Sequence, residues 1–165
     1  MEQIPESQRK RFFTTLFCLK LEIIEKYTIG LLGREGEKFV YKKLQKIYSR
    51  KYNCPIRETK TGFKVSGVQK NDIGSNKINT VEVFWLNKDE NTTANHDFII
   101  LENGKEIYLD SKATPHSENK KVPFYVSSNE LDLMRTVDKY LIARVFNIET
   151  NPVMELIKLD IDDLN

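Results

Sequence analysis

Two aspartates at the outer ends of one predicted β-hairpin are the residues of this chain whose types and spacing most clearly allow chemistry. The stretch HDFIILENGKEIYLDSK places Asp97 before one apolar run and Asp110 after another, with Lys112 two residues further on. Neighbouring carboxylates bind divalent cations or share a proton, and a nearby lysine adds a fixed positive charge. This chemistry requires that the fold bring the two carboxylates together.

The turn between the two apolar runs fixes their register. Asn103-Gly104 predicts a two-residue type I′ turn, and in that register Asp97 lies directly opposite Asp110. Their Cβ atoms would be about 4.5–5.5 Å apart, so the two charges would repel each other. A salt bridge from Lys112, a shared proton or a divalent cation bound by both carboxylates would each relieve the repulsion. Magnesium suits such a pair, because it prefers hard oxygen ligands.

Alternation of side chains along the two strands predicts which residues share a face. One face is expected to carry Phe98, Ile100, Ile107 and Leu109, and the other Asp97, Ile99, Tyr108, Asp110 and Lys112. Both faces are partly apolar, so we expect the hairpin in the middle of a sheet and not at its edge. His96 falls on the first face and is expected to be a satisfied histidine at the end of its strand.

A helix predicted over Arg34–Arg50 adds a third carboxylate. At about 100° per residue, the inward stripe of this helix consists of Gly33, Glu37, Val40, Leu44 and Ile47. Glu37 therefore points inward, where a charged group needs a partner.

Basic residues are concentrated between Lys38 and Lys64, where nine lysines and arginines face one acid, Glu58. Such a segment predicts contact with a polyanion, although a solvated helix face gives the same pattern. The residues predicted to contact a nucleic acid are Lys38, Lys42, Lys46, Arg50, Lys60 and Lys64.

The chain before the hairpin is predicted to be mainly helical. Apolar residues at helical spacing predict an N-terminal helix from Pro5 to about Tyr27, and Gly30 and Gly33 are expected to break the chain after it. The expected organisation is an N-terminal helix in residues 1–30 and one compact domain in residues 31–165.

The segment from Tyr52 to Asn79 has many lysines and little periodicity. It is expected to be a long loop, or a loop with one short hairpin at Gly62, and its role is left open. Further along, a capping box of Ser127 and Glu130 predicts a helix to Val137. The other predicted strands are Val81–Leu86, Phe124–Ser127, Tyr140–Ile148 and Val153–Leu159. This order of elements favours an α/β fold with a mixed sheet flanked by helices.

Composition indicates one soluble globular domain, with 39% hydrophobic and 30% charged residues in a chain of 165. Cys18 and Cys54 alone make neither a disulfide framework nor a zinc site, so we expect a reducing, cytoplasmic setting. No apolar run is long enough to span a bilayer, and no membrane partner is expected.

One pattern in the chain resembles the PD-(D/E)xK nuclease superfamily. It consists of a helical Glu37, then Asp97, a turn and Asp110-x-Lys112. Over roughly residues 33–148 the chain also resembles the domain found at the C-terminus of the plant protein NO VEIN. The pieces that carry this second resemblance are, in chain order, GREGEKFVYKKL, VEVFWLN, HDFIIL, GKEIYLDSKAT, PFYVSSNEL and YLIARVFNI.

The resemblance implies a restriction endonuclease-like core with an extra N-terminal helix, and phosphodiester hydrolysis that depends on Mg²⁺ or Mn²⁺. It assigns Asp97, Asp110 and the backbone carbonyl of Ser111 as metal ligands. It also assigns Glu37 as a direct or water-mediated ligand. Lys112 would orient the attacking water and stabilise charge on the phosphate. Asp110 departs from the pattern, because the branch of the superfamily that this chain resembles more usually has a glutamate at this position. The side chain of glutamate is one methylene longer.

We therefore expect a metal-dependent endonuclease acting on DNA rather than RNA, in a restriction or anti-phage setting. The alternative is a catalytically inactive module of the same fold that binds nucleic acid or a protein partner. An exposed apolar stripe on the N-terminal helix predicts a homodimer. Relatives are often joined to helicase or ATPase modules, which predicts a separate partner of that kind.

Overall fold

The computed structural model describes residues 30–68, 78–89, 92, 94–118, 120 and 122–159. The predicted helix from Pro5 to Tyr27, with the stripe expected to mediate dimerisation, lies outside these residues. Within them, no helix has the length and apolar character needed to cross a membrane.

The first described helix, α1, covers residues 30–52. Gly33 lies inside it, so the break predicted at that residue is wrong; one glycine costs a helix only about 1 kcal/mol, which tertiary packing overrides. Gly30 is the first described residue, so the break predicted there is not tested. Val40 and Leu44 are buried as predicted, whereas Ile47 is 42% exposed. Three tyrosines complete the buried face in its place: Tyr41, Tyr48 and Tyr52.

A seven-stranded sheet follows, in which the strands lie side by side in chain order. The strands are β1 (Arg57–Glu58), β2 (Gly62–Gly67), β3 (Asn79–Trp85), β4 (Phe98–Glu102), β5 (Lys105–Ala113), β6 (Tyr140–Phe146) and β7 (Val153–Ile157). Strands β5 and β6 are parallel, and every other neighbouring pair is antiparallel. Helix α2 (Ser128–Thr136) lies in the connection between the parallel strands. The predicted mixed α/β fold is confirmed.

The segment from Tyr52 to Asn79 contributes β1 and β2 to the sheet, so the expectation of an unbroken long loop is wrong and that of a short hairpin at Gly62 is confirmed. The hairpin near Gly62 is present, but β2 also pairs along its full length with β3. Phe63 and Val65 are buried while Lys64 between them is exposed. A Cβ atom at Gly62 would collide with the carbonyl of Val83, so this glycine permits close strand pairing and does not mark a loop.

The hairpin register predicted from Asn103-Gly104 is confirmed. Both turn residues have positive φ, 51° and 81°, as a type I′ turn requires. Phe98 pairs with Leu109 at the far end of the ladder. Because β4 and β5 each have a strand on both sides, the hairpin is central, as expected.

The predicted capping box is also confirmed: Ser127 caps α2 and Glu130 completes the box. The strand predicted over Phe124–Ser127 is wrong, because residues 122–127 form neither helix nor strand. Pro123 within this segment has no backbone N–H to donate to a ladder, which disfavours a strand there.

The two helices cover opposite faces of the sheet. Helix α1 packs on the larger core, which includes Phe98, Leu109 and Ala143. Met134 of α2 belongs to a second core with Ile142. Since side chains alternate along a strand, Ala143 and Ile142 point to different faces of β6.

Helix α1 crosses β5 closely at Gly36. A Cβ atom there would lie 2.6 Å from Ala113 Cβ and 3.2 Å from Ser111 Oγ. Only glycine therefore allows this distance between helix and strand, and the next residue of the helix is Glu37.

Replacing Gly36 with alanine should reduce stability through overpacking. At Gly33 of the same helix, an added Cβ meets nothing within 4 Å. Both Gly→Ala changes gain the same helix propensity, so their difference isolates the clash. We expect Gly36→Ala to be less stable than Gly33→Ala by about 1–3 kcal/mol in urea denaturation. Equal stabilities would show that α1 has room to move away from β5.

Candidate functional site

Asp97 lies just before β4, where the regular ladder ends. The last pair is Phe98 with Leu109, and the Asp97 N–H donates to the Leu109 carbonyl at 3.1 Å. The ladder therefore ends one residue before the predicted pair of Asp97 and Asp110. The predicted register is right, but the prediction that these two residues pair within it is wrong. The Asp97 carboxylate still reaches β5, because it accepts the Ser111 N–H at 2.8 Å; Asn87 Nδ2 donates to its other oxygen at 2.9 Å.

Asp110 lies within β5 and is only 6% exposed. Lys112 Nζ is 2.9 Å from its Oδ2 and forms an ion pair with it. The predicted salt bridge of Lys112 thus goes to Asp110. Asp97, in contrast, is held by an amide group and a backbone N–H.

Burial and neighbouring carboxylates raise the pKa of both aspartates. Burial raises the pKa of Asp97, and the charges of Asp110 and Glu37 raise it further. Burial also raises the pKa of Asp110; Lys112 opposes this shift but does not cancel it. Negative charge is therefore unfavourable at both carboxylates, which favours binding of a proton or a cation by the pair.

Glu37 points inward, as the helical stripe predicted, and its side chain is 13% exposed. Its Oε2 accepts the indole N–H of Trp85 at 2.7 Å and lies 3.4 Å from Arg34 Nη1. Arg34 also donates to the carbonyls of Asn87 and Lys88. The helix that carries Glu37 is thus tied to the loop whose Asn87 holds Asp97.

Glu130 belongs to the site, which the sequence did not predict. Its Oε1 accepts a hydrogen bond from Lys112 Nζ at 2.7 Å, while its Oε2 completes the capping box of α2. Burial alone would lower the pKa of Lys112, but the charges of Asp110 and Glu130 outweigh burial and raise it. The sequence shows the capping motif, but it does not show the contact of Glu130 with Lys112 of β5.

Unsatisfied buried polar atoms are concentrated around the aspartates. In the described parts of the chain they are both ring nitrogens of His96, Ser111 Oγ, and Asp110 Oδ2, whose neighbour is the ion-paired Lys112. The expectation of a satisfied His96 is wrong, because neither of its ring nitrogens has a hydrogen-bond partner within the part of the chain that the structure describes. Its ring packs edge-on against the ring of Tyr108, with the two centroids 4.9 Å apart. Buried polar groups without partners are uncommon and often mark a ligand site.

A comparison with protein families matches residues 36–157 to the family described as Protein NO VEIN, C-terminal. The chain belongs to this family. Comparisons with curated proteins and with solved structures gave no match.

The matched range contains every element of the carboxylate cluster of this NO VEIN C-terminal domain. We use that term for Glu37, Asp97, Asp110 and Glu130 together with Lys112. Among the described residues, no three His, Cys, Asp or Glu side chains are arranged as a group that could hold a metal. The donor chemistry nevertheless suits a hard cation, because two buried carboxylates repel each other.

The oxygens best suited to bind a cation belong to Asp97 and Asp110. The Ser111 backbone lies beside them, since its N–H binds Asp97. Trp85 and Arg34 both bind Glu37 Oε2, so Oε1 is the oxygen through which Glu37 would reach a cation, directly or through a water molecule.

The basic residues predicted to contact nucleic acid are all exposed. Lys38, Lys42, Lys46 and Arg50 follow one another at four-residue spacing along α1. Lys38 is 2.6 Å from Glu35 and Lys64 is 2.6 Å from Glu82, so these two already have acidic partners.

The raised pKa values predict how the stability of the metal-free protein depends on pH. An unfolded aspartate titrates near about 3.9, so the folded protein binds protons more tightly than the unfolded chain. Stability should therefore fall as the pH rises from about 4 through the higher folded values. Asp110→Asn removes one charge and leaves Lys112 paired with Glu130. It should add about 1–2 kcal/mol near neutral pH and flatten this fall.

Urea denaturation in EDTA over a series of pH values measures both effects. Asp138→Asn, at an exposed aspartate after α2, is the matched control and should follow the wild type. An unchanged pH slope in Asp110→Asn would contradict the electrostatic account of the pair.

Proposed function

We propose that this chain is a metal-dependent nuclease that hydrolyses phosphodiester bonds in DNA, with the restriction endonuclease-like core of the PD-(D/E)xK superfamily. One observation carries the proposal: two buried carboxylates, Asp97 and Asp110, come together beside a charged Lys112. Buried charges that are merely structural are usually fully paired, whereas this pair remains repulsive.

Asp97 and Asp110 would hold Mg²⁺ or Mn²⁺, with the Ser111 carbonyl as a further ligand and Glu37 directly or through water. When bound, such an ion supplies Lewis-acid polarisation of the phosphate and lowers the pKa of a water molecule. Ser111 N–H and Asn87 fix the orientation of Asp97, so one ligand is already in position in the folded chain.

Lys112 would stabilise the negative charge that develops on the phosphate and orient the attacking water. Its ammonium group is held from both sides, by Asp110 at 2.9 Å and by Glu130 at 2.7 Å. Glu130 is therefore a positioning residue, which fixes the direction of Lys112 through the start of α2.

The exposed basic residues of α1 and of the β1–β2 hairpin would bind the phosphate backbone without reading sequence. These residues are Lys38, Lys42, Lys46, Arg50, Lys60 and Lys64. Contacts of this kind suit DNA of any sequence.

The setting follows by analogy with the superfamily alone. We propose restriction or anti-phage defence in the cytoplasm, with a separate helicase or ATPase as partner. We also propose a homodimer, which would allow cleavage of two strands.

A catalytically inactive module of the same fold is the second candidate. The ion pairs of Lys112 with Asp110 and Glu130 favour it, because they form a partly satisfied cluster without any cation. Such a module would bind nucleic acid or a protein partner.

Magnesium or manganese should raise the melting temperature of the wild-type protein, since a cation binds only the folded carboxylate pair. At a hundredfold excess over Kd the stabilisation would be about 2.7 kcal/mol. Asp110→Asn should lose this shift, and Asp138→Asn should keep it. A wild type that melts at the same temperature with and without either cation would support the inactive module.

Cleavage of a supercoiled plasmid tests catalysis separately from metal binding. Lys112→Met keeps the side-chain volume but removes the charge, and should slow cleavage by about a hundredfold or more. It should still melt at a higher temperature with metal. Arg135→Met removes an exposed charge that is paired with Asp132 at 3.0 Å, and should cleave like the wild type. Full activity of Lys112→Met would remove this lysine from the mechanism.

A further inference from the structure

Arg144 is a buried arginine next to the carboxylate cluster, and the proposed mechanism gives it no role. It lies on β6 directly beside Lys112 of β5, and only 4% of it is exposed. Its guanidinium donates to the carbonyls of Lys112 at 3.2 Å and Val122 at 3.4 Å. The guanidinium carbon also lies 5.2 Å from the ring centroid of Phe124 and 5.4 Å from that of Phe146.

The charge of Arg144 has no counter-charge in the described part of the chain. The ion pairs there join other residues. Burial lowers the pKa of its guanidinium, and no carboxylate offsets that effect. A buried charge without an opposite charge is costly, and two weak carbonyl contacts replace only part of its hydration. The five donors of a guanidinium suit phosphate, which accepts two of them side by side.

Arg144 lines an open cavity of about 360 Å³ at the end of β5. Residues of α1, β5 and the segment before α2 complete the lining, among them Leu32, Ser111, Lys112, Phe124 and Tyr125. Ser111 and Lys112 connect the cavity to the carboxylate cluster. A group bound at Arg144 would therefore be next to the proposed reacting phosphate.

Tyr125 lines the same cavity and, among the described residues, is the most exposed of the large hydrophobic side chains, at 90%. An aromatic ring in solvent beside a phosphate site is a stacking surface for an unpaired base. A base inside a duplex already stacks on its neighbours and cannot use it.

We propose that this cavity is a nucleotide subsite for an unpaired strand, in which Arg144 binds a backbone phosphate and Tyr125 stacks on the attached base. The inference rests on the proposed function, since it places the neighbouring phosphate at the carboxylate cluster. It adds a substrate class: DNA whose strand is single at the cleavage position.

Binding of fluorescein-labelled single-stranded DNA in EDTA tests the phosphate contact without metal or cleavage. Arg144→Met should weaken binding about tenfold, and should reduce the slope of log affinity against log salt by about 0.7. Arg144→Lys keeps the charge and should retain most of the slope. Arg135→Met removes an exposed, paired arginine and should behave like the wild type.

Thermal melting separates a binding role from a structural one. Methionine fills the space between the phenylalanine rings and removes an unpaired buried charge. The melting temperature of Arg144→Met should therefore equal or exceed that of the wild type. A lower melting temperature with unchanged DNA affinity would make Arg144 a structural residue and overturn the phosphate contact.

Tyr125→Ala tests the base contact in the same assay. It should weaken the binding of single-stranded DNA about tenfold and leave the binding of duplex DNA of the same sequence unchanged. If Tyr125→Ala weakened the binding of single-stranded and duplex DNA equally, or changed neither, the assignment to an unpaired strand would be overturned.

The two proposals fail in distinguishable ways. Binding in EDTA that depends on Arg144, without any cleavage, would keep the subsite and remove the nuclease proposal. Metal-dependent cleavage with an unchanged KM and salt slope in Arg144→Met would keep the nuclease proposal and remove the subsite.

Discussion

Repulsion between two buried carboxylates is the constraint around which this domain is arranged. Asp97 and Asp110 would be better solvated in water, yet the sheet buries them side by side. Each neighbouring element offsets part of the cost. The loop after β3 supplies Asn87, β5 supplies the Ser111 N–H and Lys112, and α2 holds that lysine through Glu130. The offset is incomplete, because both pKa values remain raised.

Local patterns in the sequence predicted the parts of the site that are local in structure. Asn103-Gly104 fixed the register of β4 and β5, because a two-residue turn allows only one. Ser127 and Glu130 gave the start of α2 for the same reason. The inward direction of Glu37 followed from helical periodicity alone.

The parts that sequence reasoning missed depend on contacts between distant segments. The sequence allowed a short hairpin at Gly62, but the pairing of β2 with β3 and the close approach of Gly62 to Val83 join distant segments, and no local pattern predicts them. Glu130 has a sufficient local role as a cap, so nothing in the sequence indicated its contact with Lys112. Arg144 stands in an apolar strand pattern, and its lack of a carboxylate partner in the described residues emerges only from the packed structure.

The order of the strands has a consequence for how the site assembles. All strand pairs are antiparallel neighbours in the chain except β5 and β6, which are parallel and are joined through α2. The entropic cost of closing a loop grows with its length, so this long crossover is the most costly connection in the sheet. Asp97 and Asp110 meet across the short hairpin, whereas Glu130 and Arg144 reach Lys112 only when the crossover closes. We therefore expect the acidic pair to form early in folding and the contacts that hold the lysine to form late.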